Sequence, residues 1–553
     1  MPQLSLSSDY RKATMSIPEV ATQLQVSVAI VRNWIKAGYL QQVSNSDVTR
    51  ESLSDFTQKY VGSSKLTSRA NKSSKDKSEC NFDVATYKGA DISSAYEGSL
   101  SDSYKNKEGI FYTPSSIASD MMRDVHIVGN ETFLEPCCGS GNFILEAVKH
   151  GFKPENIYAF DIDANAVEIA KRRLYEATGY LSPNIQCADF LQVCQTLRHK
   201  FDYIYTNPPW GKKIAKADKE KYAKIYHAGS SNDTCALFFF ASMSLLKENG
   251  ELGLLLPEAF FNITAFEDAR KCALSYTIRR LMDYGKAFKG LITKAMALVL
   301  RNTTARKDVS VQCEKGDLTI KRTLSSFCKA PKSIMNFSYD EQVAEVIEYL
   351  YSLPHTTLSG NANWGLGIVT GNNEELCSPI PKDGYVAIYR GKDISSVGLA
   401  EPKMFIHQDL SRCQQVAPMS MYLAPEKIIY RFISDKLVFY CDTRQRYILN
   451  SANMLIPNAN FPLSSRQLAD VMNSALMNWL FRMLFATHKI LRGDLEILPI
   501  FADYFKKNAE FDENKYLDFL NLEEKDGTYR IKNCPFSNRV QKSFNYLNNK
   551  LLA

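Results

Sequence analysis

Thr132 to Gly151 reads "TFLEPCCGSGNFILEAVKHG", and this stretch sets the fold class. A short apolar run ends in Glu135-Pro136 and a Gly-Ser-Gly turn follows. Phe143, Ile144, Ala147 and Val148 then mark an amphipathic helix that stops at Gly151. Strand, glycine turn and helix in that order open a doubly wound α/β sheet, which binds ligands at the carboxyl ends of its strands. Gly139 and Gly141 are expected to let the backbone approach such a ligand closely. The sequence has neither the third glycine of a dinucleotide fingerprint nor a Gly-Lys-Ser/Thr phosphate loop, which argues against a pyrophosphate. Glu135, just ahead of the turn, suits a cation instead.

The next strand, in "IYAFDIDANAVEIAKRRL", ends its apolar run at Asp161, twenty residues past Gly141. That is about the spacing at which an acid on the second strand meets ribose hydroxyls. A third strand, "NIQCADFL", ends in Asp189-Phe190, an acid beside a ring that suits an adenine. Taken together, these acids describe S-adenosylmethionine, an adenosine that carries a sulfonium and an amino-acid tail. A fourth strand runs into "FDYIYTNPPWGKK", Phe201 to Lys213. Prolines cannot continue a central strand, so the chain stops with an amide, a stiff backbone and a tryptophan at the strand's end.

In this order, "LEPCCGSGNF", "FDID", "ADFL" and "TNPPW" resemble the gamma class of N6-adenine DNA methyltransferases, the TaqI-like family. The likeness extends upstream to "SSAYEGSLSDSYKNKEGIFYTPSSIASDMM" and downstream to "NDTCALFFFASMSLLKENGELGLLLPEAFF", roughly Ser93 to Leu300. A weaker likeness, in "GIVTGNNEEL", "YRGKDI", "KIIYR" and "LRGDLEILPI", follows the family's target-recognition region. The resemblance implies a Rossmann-like α/β methyltransferase fold with a C-terminal mixed α+β target-recognition domain. It implies S-adenosylmethionine contacts from Tyr112, Thr113, Glu135, Gly139, Gly141, Asp161, Ile162, Asp189, Phe190 and Asn207, with no metal. For the reaction it implies Asn207, Pro208, Pro209 and Trp210, with Phe288 in "YGKAFKG" as a second ring.

The chemistry of the four-residue motif stands beside that likeness. An exocyclic amine on a nucleobase is a poor nucleophile because its lone pair is delocalised into the ring. The Asn207 side-chain carbonyl and the Pro208 backbone carbonyl could accept its two N–H groups and free that pair. The base must first leave the duplex and be held against rings, for which Trp210 is one wall. Pro136-Cys137 mimics the nucleophile of cytosine-C5 enzymes but sits in the cofactor loop, so Cys137 and Cys138 read as packing. Asparagine at 207 tilts the choice toward adenine over the N4 amine of cytosine. Methyl transfer to RNA or to a protein glutamine stays open, as does a DNA-binding regulator with an inactive catalytic domain.

Outside this core, Met15 to Leu40 carries two helical stripes, Ile17/Val20/Ala21/Leu24 and Ile30/Val31/Trp34/Ile35. The pattern suggests a helix-turn-helix with Arg32 and Lys36 toward DNA, and it resembles the small winged helices of excisionase and MerR-type proteins. The expected organisation is a helix-turn-helix domain over 1–62, a Ser/Lys-rich linker over 63–80, a catalytic domain over 81–310 and a recognition domain over 330–553. The last piece holds a single long apolar helix candidate, Ser465 to Phe485, and DNA-contact candidates Arg390, Lys392, Arg431 and Arg492 interleaved with rings. Lys427, Arg444, Arg446 and Lys489 belong to the same basic set.

The formal charge of +7 fits a polyanionic partner, and charged and hydrophobic fractions of 23% and 45% are ordinary for a globular protein. Thirteen cysteines without a C-x-x-C pair argue against a zinc ribbon or a disulfide framework. No signal pattern and no apolar run of membrane length are expected. The expected setting is the prokaryotic cytoplasm near the nucleoid, with double-stranded DNA as partner and a separate restriction endonuclease as an open second one.

Overall fold

The computed structural model describes residues 14–24, 28–36, 40–44, 47–59, 82–84, 86–89, 91–100, 105, 109–211, 214–288, 291, 293–485 and 489–532. The expected linker, 63–80, and the turn at 25–27 lie outside them. The chain forms two compact units: 1–112 with 209–213, and 113–208 with 214–553.

In the first unit, β1 (Thr14–Ser16) leads into α1 (Ile17–Gln23), followed by α2 (Val28–Lys36), β2 (Gln42–Ser44), β3 (Asp47–Thr49) and α3 (Arg50–Lys59). Ser16 starts α1 through a capping box, its backbone N–H donating to the Glu19 carboxylate at 2.9 Å. The strands pair antiparallel in the order β1-β3-β2. Ile17, Val20, Ala21, Val31, Trp34, Val48, Leu53 and Phe56 form the core, with the Trp34 and Phe56 rings 4.8 Å apart. A further helix, α4 (Ile92–Ser99), is capped by Asp91 and buries Ile92 and Tyr96.

The second unit is built on a nine-stranded sheet. After α5 (Ser115–Met122) come β4 (Phe133–Glu135), α6 (Asn142–Lys149), β5 (Ile157–Asp161), α7 (Ala164–Thr178), β6 (Ile185–Cys187), α8 (Phe190–Val193) and β7 (Phe201–Thr206). Next are α9 (Thr234–Leu245), β8 (Leu246–Pro257), α10 (Glu267–Ala273), β9 (Tyr276–Asp283), β10 (Ala295–Thr304), β11 (Ser310–Lys315) and β12 (Leu318–Thr323). The sheet order is β12-β11-β9-β10-β8-β7-β4-β5-β6. β4 to β8 run parallel, and β10 is antiparallel to both β8 and β9. The chain builds outward from β4 to β6 and then returns to β7 on the other side of β4. The crevice of a doubly wound fold opens at this reversal, beyond Glu135 and Thr206. The sheet runs on to Thr323, past the 310 expected for the end of the catalytic piece.

α11 (Glu341–Ser352) starts the C-terminal piece, which contains β13 (Ala362–Leu366), β14 (Cys377–Ser378), β15 (Tyr385–Tyr389), β16 (Phe405–His407), β17 (Lys427–Arg431), β18 (Phe439–Asp442), β19 (Tyr447–Ile448) and β20 (Ala452–Pro457). They form two four-stranded sheets, β13-β20-β17-β18 and β14-β16-β15-β19. The hairpin β21 (Leu522–Lys525) and β22 (Thr528–Ile531) follows two helices. Those helices, α12 (Ser465–Asn473) and α13 (Ala475–Phe485), replace the single long helix expected from the apolar pattern. Ser474 adopts extended backbone (ψ 152°) and its hydroxyl accepts from the Met477 N–H at 3.1 Å, so it ends one helix and caps the next.

The joint between sheet and C-terminal piece rests on Arg270 of α10, whose side chain is fully buried. Its guanidinium donates to the carbonyls of Phe260 (2.8 Å), Ile263 (2.7 Å), Lys332 (3.0 Å) and Ser333 (3.0 Å). Burial pushes its pKa down to about 10. Lys332 and Ser333 both sit in left-handed backbone (φ 53° and 52°), a conformation this grip helps to hold.

Candidate functional site

The turn after β4 is bound to β5 by its own backbone. Cys138 N–H donates to the Phe160 carbonyl and Gly139 N–H to Oδ2 of Asp161, each at 2.8 Å. Gly139 has φ 49° and Gly141 φ 87°, both left-handed. A Cβ at Gly141 would lie 3.1 Å from Cβ and 3.3 Å from Cα of Ala170, so close packing of α7 also needs the bare backbone there. Cys138 is buried and Cys137 half-buried, which fits packing.

Glu135 ends β4 with 2% of its surface exposed, and its Oε2 has no hydrogen-bond partner among the described residues. Burial pushes its pKa well above the usual carboxylate range. Asp161 adds to the rise, while the Ile144 N–H and the Arg173 charge oppose it. A buried acid with an unused oxygen, at the switch point of the sheet, lacks a cationic hydrogen-bond donor. The amino-acid end of S-adenosylmethionine supplies that chemistry, so the residues fit the cofactor.

Asp161 accepts from Gly139 on one oxygen and from the Asp163 N–H (2.8 Å) on the other. Beside it, Ile162 is 56% exposed, an apolar side chain in water at the mouth of the crevice. Asp189 caps α8 by accepting from the Leu191 N–H at 3.0 Å, and Gln192 donates to its other oxygen at 3.1 Å. Phe190 is packed between Phe160 and Phe238, at ring distances of 6.1 and 5.5 Å. The structure thus uses the Phe190 ring as core, where the sequence pattern offered it to an adenine.

Asn207 and Pro208 follow directly on β7; Asn207 is half-buried and Pro208 buried. Phe288, also buried, lies in the segment between β9 and β10. Thr113 opens the second unit, and its carbonyl accepts from Nδ2 of Asn142 at 2.6 Å, which ties the "YTP" lead-in to the glycine turn. In the first unit, Trp210 is buried, its ring lies 5.9 Å from that of Phe111, and its N–H donates to the Gly109 carbonyl at 3.2 Å. Half-buried Pro209 belongs to the same unit, and Tyr112 there meets Tyr96 edge-on at 6.5 Å.

The basic candidates separate into two kinds. Arg390 is held by both oxygens of Asp393 (2.9 and 3.1 Å), and Arg431 donates twice to the Ile394 carbonyl (2.9 and 2.7 Å). Both guanidinium groups brace the 390–394 turn. Lys427 is fully buried against Asp442 at 2.7 Å, which removes it from the surface set to which the sequence assigned it. Lys392 and Arg492 are exposed, Arg492 bonding Glu496 at 2.7 Å over the Trp364 ring. Arg32 is exposed on α2, whereas the Lys36 side chain lies outside the described residues. Sequence reasoning missed Asn142 and Arg173, because nothing in "NFILEAVK" or "AKRRL" distinguishes an inward polar contact from a solvated one. Among the described residues no group of His, Cys, Asp and Glu could hold a metal, and no helix is long and apolar enough to cross a membrane.

Residues 155–289 match the Eco57I restriction-modification methylase family and residues 386–500 the TaqI-like C-terminal specificity domain. The chain is 47% identical over 394 residues to the Type II methyltransferase M.VspI of Vibrio sp. (strain 343), an alignment covering 69% of this chain and 97% of that one. The modification methylase CviBIII of Paramecium bursaria Chlorella virus NC1A is 26% identical over 216 residues, covering 38% and 54%. In fold, the DrdV–DNA complex solved by cryo-electron microscopy aligns with a TM-score of 0.50 at 11% identity, covering 83% of this chain and 62% of that one.

Proposed function

We propose, from the premise that this chain belongs to the Type II restriction-modification DNA methyltransferases, that it methylates N6 of an adenine turned out of duplex DNA. When bound, S-adenosylmethionine supplies an electrophilic methyl group on sulfur. The chain's own residues prepare the acceptor. The Asn207 side-chain carbonyl and the Pro208 carbonyl take the two N–H groups of the amine, which localises the nitrogen lone pair. Trp210, three residues along the chain from Asn207, and Phe288 are the rings assigned to the extruded base. Glu135 holds the cationic end of the cofactor, Asp161 the ribose and Asp189 the adenine amine, with Ile162 on the adenine face. Tyr112 and Thr113 serve the methionine end.

One observation carries this reading: the unused, buried carboxylate oxygen of Glu135 lies at the sheet's switch point, and Asn207-Pro208 ends the neighbouring strand. Asparagine rather than serine at 207 favours adenine over the N4 amine of cytosine. The same reading assigns 1–62 to DNA binding through exposed Arg32, 63–80 to a linker, the piece from 81 to the end of the sheet at Thr323 to catalysis and 330–553 to recognition. It places the protein in the prokaryotic cytoplasm near the nucleoid, with double-stranded DNA as partner and a separate restriction endonuclease as an open second one. The test is incubation with duplex DNA and labelled cofactor, followed by nucleoside mass spectrometry. N6-methyladenine is expected, with kcat lowered roughly 10²-fold or more in Asn207→Ala. N4-methylcytosine, or label preferentially on RNA or protein, would overturn the assignment.

A further inference from the structure

Arg173 lies on α7, yet its guanidinium reaches the glycine turn. Nη1 donates to the Ser140 carbonyl at 2.6 Å and Nη2 to Oδ1 of Asn142 at 3.0 Å. Asn142, oriented in this way, donates through Nδ2 to the Thr113 carbonyl at 2.6 Å. Arg173 and Asn142 together therefore join α7, the turn and the segment leading into α5. The ionisable groups that bear on Glu135 are Asp161 of β5, Arg173 of α7 and the buried thiol of Cys138, while the Ile144 N–H of α6 donates to it. Among these, only Arg173 carries positive charge.

We propose that Arg173 is a positioning residue of the cofactor site: through Asn142 it locks the glycine turn to Thr113, and its guanidinium, bonded to the turn at Ser140, brings positive charge to the loop that follows Glu135. This rests on the reading that Glu135 faces the cationic end of S-adenosylmethionine. A buried acid next to Asp161 resists ionisation, and a cation binds only its ionised form. Binding therefore releases a proton, and affinity falls by up to about tenfold per pH unit below the point where free Glu135 takes up its proton. Loss of the Arg173 charge moves that point upward. A purely structural loss would weaken binding equally at every pH.

The test is calorimetric titration of the full chain with S-adenosylmethionine from about pH 6 to 9, on wild type, Arg173→Met, Arg173→Lys and Asn142→Ala. Arg173→Met is expected to weaken binding and to move the pH midpoint up. Arg173→Lys restores the midpoint, whereas Asn142→Ala weakens binding without moving it. An equal loss at all pH values in Arg173→Met, or a midpoint that Arg173→Lys fails to restore, overturns the proposal. Should Arg173→Met not fold, Arg173→Gln makes the same comparison. Wild type that binds no cofactor refutes the site itself. Wild type that binds without pH dependence refutes the role given to Glu135, and with it the field assigned to Arg173.

Discussion

Asp494 illustrates how much one buried residue decides. It is 4% exposed in "LRGD", and burial pushes its carboxyl pKa up to about 7, with a backbone hydrogen bond from Leu491 opposing the rise. The unfolded chain releases this proton near pH 4, so stability falls as pH rises from about 4 to about 7 and stays reduced above that. Asp494→Asn is expected to flatten this fall and to raise stability at pH 8 by a few kcal/mol, as urea unfolding at several pH values would show. A variant as pH-dependent as wild type would count against the assignment. The sequence offers Glu135, Asp161 and Asp189 as candidates because they fall at strand ends, where periodicity stops. It could not say that Gly141 serves Ala170 or that the Phe190 ring is spent on the core, since both depend on neighbours brought in from α7 and α9.

At the scale of elements, the strands of the methyltransferase half were legible because apolar runs bounded by turns have few other fates. The break at Ser474 was not, because serine is an ordinary helix residue until its backbone turns extended and its hydroxyl caps the next helix. The pairing of β17 with β18 is the other surprise, for it sets Lys427 directly opposite Asp442 inside the core. Burial opposes ionisation of Asp442, but Lys427 and Arg446 outweigh it and hold the carboxylate below its usual range. Removing one member leaves the other charge buried. Lys427→Met is expected to cost about 3–5 kcal/mol in urea unfolding, far more than an exposed lysine would. A loss below about 1 kcal/mol would mean that the pair is not buried in solution.

For the whole molecule, a formal charge of +7 leaves open which cations meet DNA. The structure narrows the choice, because Arg390, Arg431 and Lys427 have internal duties while Lys392 and Arg32 are exposed. Lys392→Gln and Arg32→Gln are each expected to make the plot of log affinity against log salt shallower by about 0.9. Unchanged slopes would exclude these side chains from phosphate contact. The division into two units was beyond sequence reasoning, since Trp210 groups with 1–112 through Gly109 and Phe111, a hundred residues away in the chain.

The grip of Arg270 on Phe260, Ile263, Lys332 and Ser333 has a bearing on engineering. A chimera that exchanged the specificity half at residue 331 would keep two carbonyls for this arginine only if the incoming residues adopted the left-handed backbone of Lys332 and Ser333; otherwise it would strand a charge in the interior. A workable crossover must lie beyond Ser333, so that the donor sequence begins only after the native clasp has closed.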